Sequence, residues 1–499
     1  MLAAKLKPGV PVPTFFKSNL LKIGAVLLFY PSFSFAQWRE PAEKNSFSPI
    51  GPQAWHHTVY RQAGDFPINR SGTPGWVIHV VEFDLRHPFL QLETVKAGDH
   101  LQGKERTSMM AARRDYEKHR VVAAINGDYD TGNGVPINLQ MRNGEIVRQP
   151  TAHSIFALSA AEKPLINFLS LTGSLQSKQK FWQTLHGFNR VRNANELIFY
   201  NHYFGANTNT NNFGSEIRLK PLEKFSINDT IRAVVGEFHR HIGSAPLDAS
   251  TYVISAHGAG ESWLHRNISA GDTIKFVWRI PETRWQLVEA IGGLPRLVRD
   301  GRISIETHTE GGGESFTHNR HPRTAIGFNA DTSRFFFVTV DGRQPGYSEG
   351  MTLPELASFM RELSCVQALN LDGGGSTTMV VRGNVANRPS DPTGERAVAN
   401  ALLLICTAPP GKLAHLDIPI STVRLNAGEK FDFNMTATDN FYNPLNLTDE
   451  NVSWKTSKRF GRIDHRGLFT AGTRADSGFV FAHRNQARDS AKVIVRISP

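Results

Sequence analysis

Cysteine is almost missing: Cys365 and Cys406 are the only two in 499 residues. No Cys-x-x-Cys pair exists, which excludes a structural zinc site of the usual spacing. The pair leaves two readings open, a single disulfide or two buried thiols near strand ends. Long apolar runs are also lacking. Nothing approaches the roughly 20 residues a spanning helix needs, so the mature chain is expected to be soluble. Although the net charge is +11, no dense Lys/Arg run or nucleic-acid motif accompanies it. A nucleic-acid partner is therefore not expected, whereas an anionic substrate or an anionic envelope suits the charge. What the chain has in quantity is glycine (42) and phenylalanine (32), which suggests many turns and a β-rich core.

The length predicts two or more domains. The first 36 residues read as an export signal. Lys5, Lys7, Lys17 and Lys22 make a basic start, Ile23 to Tyr30 a short apolar stretch, and Ser34-Phe35-Ala36 a cleavage site. This predicts a periplasmic or extracellular protein. Residues 37–74 form an irregular extension. Strands are predicted over Trp76–Asp84 and Phe89–Val95, and a helix over Ser108–Arg120. Thr407-Ala-Pro-Pro-Gly411 reads as a linker after a domain spanning 75–407. Beyond it, short alternating segments such as Lys430–Thr438, Val452-Ser-Trp454 and Ala491–Ile497 are separated by turn residues. Residues 412–499 are thus expected to be a small β-sandwich. Gly461-Arg-Ile-Asp464 and Gly467-Leu-Phe-Thr-Ala471 resemble bacterial immunoglobulin-like domains, which implies a spacing or adhesive role.

Three apolar strands end alike. Val121–Ile125 runs into Asn126-Gly127-Asp128, Phe335–Val340 into Asp341-Gly342-Arg343, and Ala368–Leu371 into Asp372-Gly373-Gly374-Gly375-Ser376. Such runs suit strands buried on both faces. Between the last two lies a helix, with a capping box at Thr352 and Glu355 and an apolar face of Leu353, Leu356, Ala357, Met360 and Leu363. Strand, helix, strand predicts a parallel crossover, hence an α+β domain on a mixed α/β sheet ahead of the all-β immunoglobulin-like sandwich. In that geometry Asp341 and Asp372 lie on adjacent strands at one carboxyl edge, where open sheets place ligands. Asn-Gly and Asp-Gly alone are common turn signals. Three at strand ends, one followed by more glycine and by Ser376 and Thr377, point instead to a ligand loop whose amides converge on an anion. Arg323 and Arg343 are placed to clamp a phosphate. His318 and His321 flank Gly311-Gly-Gly313 and offer proton donation or metal ligation, but at no recognisable metal spacing.

With these motifs assembled, the chain resembles the phosphodiester glycosidase family over roughly residues 75–405. The motifs that carry the resemblance are Ala123–Gly127, Ile291–Gly301, Arg323–Gly327, Val340–Arg343, Gly350–Leu353 and Asn370–Ser376, in the family's order. The middle segment, with Phe188-Asn-Arg190, Glu196–Tyr200 and Thr210–Gly214, resembles the bacterial branch. The resemblance implies cleavage of a sugar from a phosphodiester, and a role on envelope or exopolysaccharide glycans. One departure stands out. The family usually follows Asn-Gly with glycine and aromatic residues, whereas Asp128 and Tyr129 follow here, which puts the sugar in question.

The expected chemistry is hydrolysis with Asp341 and Asp372 sharing acid/base work, or one acting as nucleophile. Arg323 is grouped with them, neutralising the phosphate together with Arg343. Asn126 and the Gly373 and Gly374 amides orient sugar or phosphate, Asp128, Asn370, Ser376 and Thr377 line the site, and Glu349 is a reserve carboxylate. No cofactor is called for, and a divalent cation is left open. The partner is a carbohydrate or glycophospho-conjugate, with peripheral envelope association and oligomeric state both undecided. Two rivals stand beside this expectation: a glycosidase acting on glycans without phosphate, and a polysaccharide-binding envelope protein without hydrolytic activity.

Overall fold

The computed structural model describes residues 46–62, 75–447 and 452–497. The export signal and most of the 37–74 extension lie outside them. Strands hold 47% of the chain and helices 9%, so the expected mixed α/β class is corrected: the molecule is mostly β. Among the described residues no helix is long and apolar enough to cross a membrane.

The site rests on two sheets. Strands β1 (Gly75–Phe83), β5 (Phe335–Val340), β4 (Arg323–Phe328) and β6 (Gln367–Asn370) are consecutive neighbours inside an eight-stranded sheet. A five-stranded sheet contains β2 (Leu90–Lys96), β3 (Arg120–Asn126), β7 (Met379–Val381) and β8 (Asn400–Cys406). Every pairing among these strands is antiparallel.

The predicted parallel crossover fails for a specific reason. Chain leaving β5 through the helix Leu353–Glu362 does not return beside β5. It skips over β4, which pairs with β5 on one side and β6 on the other. β5 and β6 therefore run in one direction with an antiparallel strand between them. Asp341 and Asp372 still emerge at one edge, but two strand spacings apart, about 10 Å between backbones instead of one spacing. Arg323, paired with Val340, starts β4 at that same edge.

Burial on both faces suggested parallel strands, and β4 and β5 are indeed buried throughout. Two different layers cover them. On one face Ile326, Phe335, Phe337 and Leu369 share a core with Val122, Ile125, Leu402 and Leu404 of the five-stranded sheet. On the other face lies the helix: a Cβ on Gly327 would stand 2.7 Å from Met360 Cε and 2.8 Å from Cys365 Sγ. That helix carries both halves of its capping box, Thr352 Oγ1 accepting from Glu355 N and Glu355 Oε2 from Thr352 N. The earlier helix is shorter than predicted, Thr107–Arg114, because a turn through Tyr116 and His119 precedes β3.

Residues 172–279 build a second eight-stranded sheet with its own core around Phe188, Phe199, Phe276 and Trp278. In the tail, two-, four- and three-stranded sheets surround a cluster that includes Val423, Phe433, Phe469 and Val493. Its predicted segment Lys430–Thr438 divides into two strands of different sheets, Lys430–Asp432 and Thr436–Asp439. Cys365 and Cys406 are both free and buried.

Candidate active site

The loop after β6 is pinned to the end of β3. Asp372 N donates to Gly127 O at 2.8 Å, and Asn126 Nδ2 donates to Asp372 O at 2.6 Å. Asn126 Oδ1 accepts from Thr324 Oγ1 at 2.8 Å and from Thr378 N at 3.0 Å. Wholly buried, Asn126 thus ties two sheets and the glycine loop together, and its amide is engaged by protein instead of facing a sugar.

The glycine amides are likewise occupied. Gly373 N donates to Asp372 Oδ1 at 2.8 Å and Gly374 N to Pro322 O at 2.9 Å, so these two do not converge on an anion as expected. What the glycines supply is room. A Cβ on Gly374, at φ +64°, would lie 3.0 Å from Arg343 Nη2, and one on Gly375 would lie 2.4 Å from Arg396 Nη2. Two guanidiniums therefore rest against the loop. Arg343, exposed, donates to His321 Nδ1 at 3.2 Å, while Arg396 is held by Asp391 at 2.7 Å. Burial, then the charges of Arg323 and Arg343, lower the proton affinity of His321. That fits a neutral ring accepting at Nδ1.

Two carboxyl groups interact at the base. Half-buried Asp372 is pushed up to about 6 by desolvation, with Asp130 adding to the rise and Ser376, the Gly373 amide and Arg396 opposing it. Asp128, 2% exposed, is pushed up to about 7 by burial and further by the charge of Asp372. Asn138 N donates to Asp128 Oδ2 at 2.8 Å. Tyr129 lies between these groups: its hydroxyl donates to Leu371 O and accepts from Asn370 Nδ2, both at 3.1 Å.

Asp341 has a different setting. It is 1% exposed, and its oxygens accept from Asn387 Nδ2 (3.0 Å), Arg388 N (3.0 and 3.1 Å) and Tyr347 OH (3.0 Å), with His79 Nε2 at 3.8 Å. Asn387 Nδ2 also donates to Thr377 O, which links Asp341 to the far end of the glycine loop. The two expected catalytic aspartates thus share an edge but not a hydrogen-bonding environment.

Arg323 is 2% exposed and bound to backbone: Nε to Met351 O at 2.9 Å, Nη2 to Phe316 O and Asn319 O at 3.0 Å each. Burial lowers it to about 10. It fastens the 316–319 segment, and Arg396 takes the place expected for it beside Arg343. Glu349 is half-buried and its N–H donates to Gly75 O. Asn370, Ser376 and Thr377 are buried, with Asn370 Oδ1 and Thr377 Oγ1 lacking a hydrogen-bond partner among the described residues. His318 pairs with Glu314 at 3.0 Å on an exposed helical turn. Among the described residues no group of three or more His, Cys, Asp or Glu could hold a metal ion.

Asp130, Asn387 and Arg396 are the contributors that sequence reasoning missed. Asp130 stood two positions beyond a motif already noticed. Arg396 had no local signal, since only the path of the loop through Asp391 and Gly394 brings it to Gly375.

Two carboxyl groups of raised proton affinity and two guanidiniums thus gather around one glycine loop of a β-rich protein. The chain resembles the phosphodiester glycosidase family, and residues 229–405 match that family's model. The motifs from Ile291 onward fall inside the match, whereas Ala123–Gly127 precedes it. N-acetylglucosamine-1-phosphodiester alpha-N-acetylglucosaminidase of Mus musculus is 35% identical over 113 residues, 21% of each chain. The Homo sapiens protein of that name is 34% identical over 119 residues, 22% of each. The chain spans about a fifth of the length of these curated relatives. A solved structure of a hypothetical protein from Synechocystis shares the fold, with a TM-score of 0.55 at 19% identity, covering 73% of this chain and 64% of that one.

Proposed function

We propose that this chain is an exported hydrolase that releases a sugar from a glycosyl phosphodiester, or a related linkage, in an envelope or extracellular polysaccharide. The observation that carries the reading is Asp372, half-buried and raised to about 6, in a loop against which Arg343 and Arg396 lie. The family match supports the reaction class, and the basic-then-apolar first 36 residues support export. Residues 412–499 are proposed as an immunoglobulin-like module that spaces or adheres.

The chemistry follows from charge. A phosphodiester oxygen leaves readily once its negative charge is met, so guanidiniums contribute more than a proton donor would. In the proposed step the C1–O bond breaks and its electron pair goes to the phosphate oxygen beside Arg343 and Arg396. Water forms the new C1–O bond and gives its proton to Asp372, which a carboxylate raised to about 6 accepts near neutral pH. Asp128 holds a proton over much of that range and keeps negative charge from accumulating beneath Asp372.

The test is to incubate purified residues 37–499 with sugar-1-phosphodiesters and with envelope glycans and to follow products by mass spectrometry. Release of free sugar and a phosphomonoester is expected, with Arg343→Ala and Arg396→Ala selectively losing phosphodiester substrates. Retained glycan binding without any product would identify a non-catalytic binding protein instead.

A further inference from the structure

The chain has a concavity whose lining includes none of the residues assigned to the reaction above. It is a cleft of about 670 Å³ between the loop following Asp130 and the loops of the second eight-stranded sheet. Thr131 and Val135 form one wall, Arg190 to Asn193 and Thr208 to Asn211 the other, with Tyr200 and Phe204 among the lining residues. Asp128 and Asp130 act electrostatically with Asp372, and Thr131, the next residue along, lines this cleft, so one chain segment reaches both.

Two of the three arginines lining the cleft have no carboxylate at ion-pair distance among the described residues. Arg190 is matched by Glu196 through paired contacts of 2.7 and 2.8 Å. Among the described residues Arg192 is held by neutral oxygens alone, including Ser255 Oγ at 2.7 Å and Asn211 Oδ1 at 2.6 Å. Arg148 has less still. Its Nε is buried without a hydrogen-bond partner, and among the described residues no carboxylate lies within ion-pair distance of it. Asp128 acts on Arg148 only from farther away. Arg148 lines the cleft, so an anion entering there meets a guanidinium that no carboxylate among the described residues neutralises at contact distance.

The surrounding groups suit a sugar chain. Exposed asparagine side chains offer donors and acceptors for hydroxyls, and half-buried Phe204, steadied by fully buried Tyr200, offers apolar surface for a pyranose ring. The polar wall is anchored in advance: Thr208 Oγ1 and Thr210 Oγ1 both donate to Glu216 Oε1, at 2.7 and 2.9 Å, and Arg192 fixes Asn211. Such anchoring lowers the ordering cost of binding.

We infer that this cleft binds an acidic stretch of oligosaccharide, with Arg148 receiving its carboxylate or phosphate while the neighbouring residue occupies the Asp372 site. The inference rests on the proposed function only in calling the bound chain a substrate; the binding itself needs no turnover.

The test is calorimetry with the full mature chain carrying Asp372→Asn, which separates binding from catalysis. Three probes of equal length are compared: an oligogalacturonate, a phosphorylated oligomannoside and a neutral oligomannoside. At least one acidic probe is expected to bind about tenfold or more tightly than the neutral one, and Arg148→Gln to remove most of that difference. Which acidic probe prevails identifies the anion. Arg148→Lys should restore part of the preference, since it keeps charge but not the planar fork. Should Arg148→Gln not fold, weakening of the acidic probe by added salt, with the neutral probe unaffected, serves in its place. Equal binding of all three probes, no binding of any, or an acidic preference unchanged in Arg148→Gln would overturn the inference. Acidic-probe binding by a chain that hydrolyses nothing would leave it standing and remove the proposed function alone.

Discussion

At the scale of residues, two aspartates that look interchangeable in sequence are set apart by what surrounds them. Asp341 accepts hydrogen bonds on both oxygens from groups that can only donate there, including Arg388 N. Replacing it by asparagine turns an amide NH2 toward donors. Asp341→Asn is therefore expected to lose about 1–3 kcal/mol of stability, read in a denaturant titration. Asp372→Asn should keep the wild-type midpoint while lowering turnover by about 10²–10⁴-fold. Reversal of this pattern would return the catalytic role to Asp341. Asp128 adds a pH signature. Its folded-state proton affinity is raised to about 7, above an unfolded carboxyl near 4. The folded protein thus keeps a proton that the unfolded chain releases, and stability falls as pH climbs from about 4 to about 7, then levels. Asp128→Asn should remove about 2–4 kcal/mol of that decline, seen by comparing unfolding of both proteins at pH 4.5 and 8.

At the scale of elements, the site depends on how the glycine loop sits against β4 and the two arginines. A methyl group at Gly375 meets the mobile end of exposed Arg396, whereas one at Gly373 meets the Pro322 carbonyl at 2.7 Å. Backbone cannot swing aside as a side chain can. Gly375→Ala is expected to keep the wild-type melting temperature and lose about tenfold in kcat/KM on phosphodiesters through displaced Arg396. Gly373→Ala should lose both stability and activity. Equal effects of the two would mean that Arg396 does not serve the substrate. The elements were partly legible beforehand: the Thr352 capping box and its apolar face announced the helix. Pairing was not legible, because a connection of 26 residues permits a neighbouring parallel strand or a skip over β4 equally, and both bury the same phenylalanines.

Across the whole molecule, the tail is joined to the main body by specific contacts. Arg382 Nη2 donates to Phe441 O at 3.3 Å, and Phe89 meets Phe441 edge-on at 5.2 Å. Phe441 packs against the core shared by the two sheets beneath the site. A chain ending at residue 411 is accordingly expected to melt several degrees lower than the mature protein, by the loss of about 1–3 kcal/mol of burial and hydrogen bonding. An unchanged melting temperature would show that the tail is an independent module.

Local chemistry and order along the chain were settled by sequence alone: which strands are apolar, where they end in Asn-Gly or Asp-Gly, and how the helix starts. Those properties depend on near neighbours, so reading along the chain recovers them. Only the tertiary structure decided which carboxyl groups meet, that Arg323 is consumed by carbonyls while Arg396 reaches the loop, and that Arg148 lines a cleft with no carboxylate at ion-pair distance among the described residues. Proton affinity and pairing depend on distance and burial between residues far apart in sequence, and these follow from strand order, which periodicity does not encode.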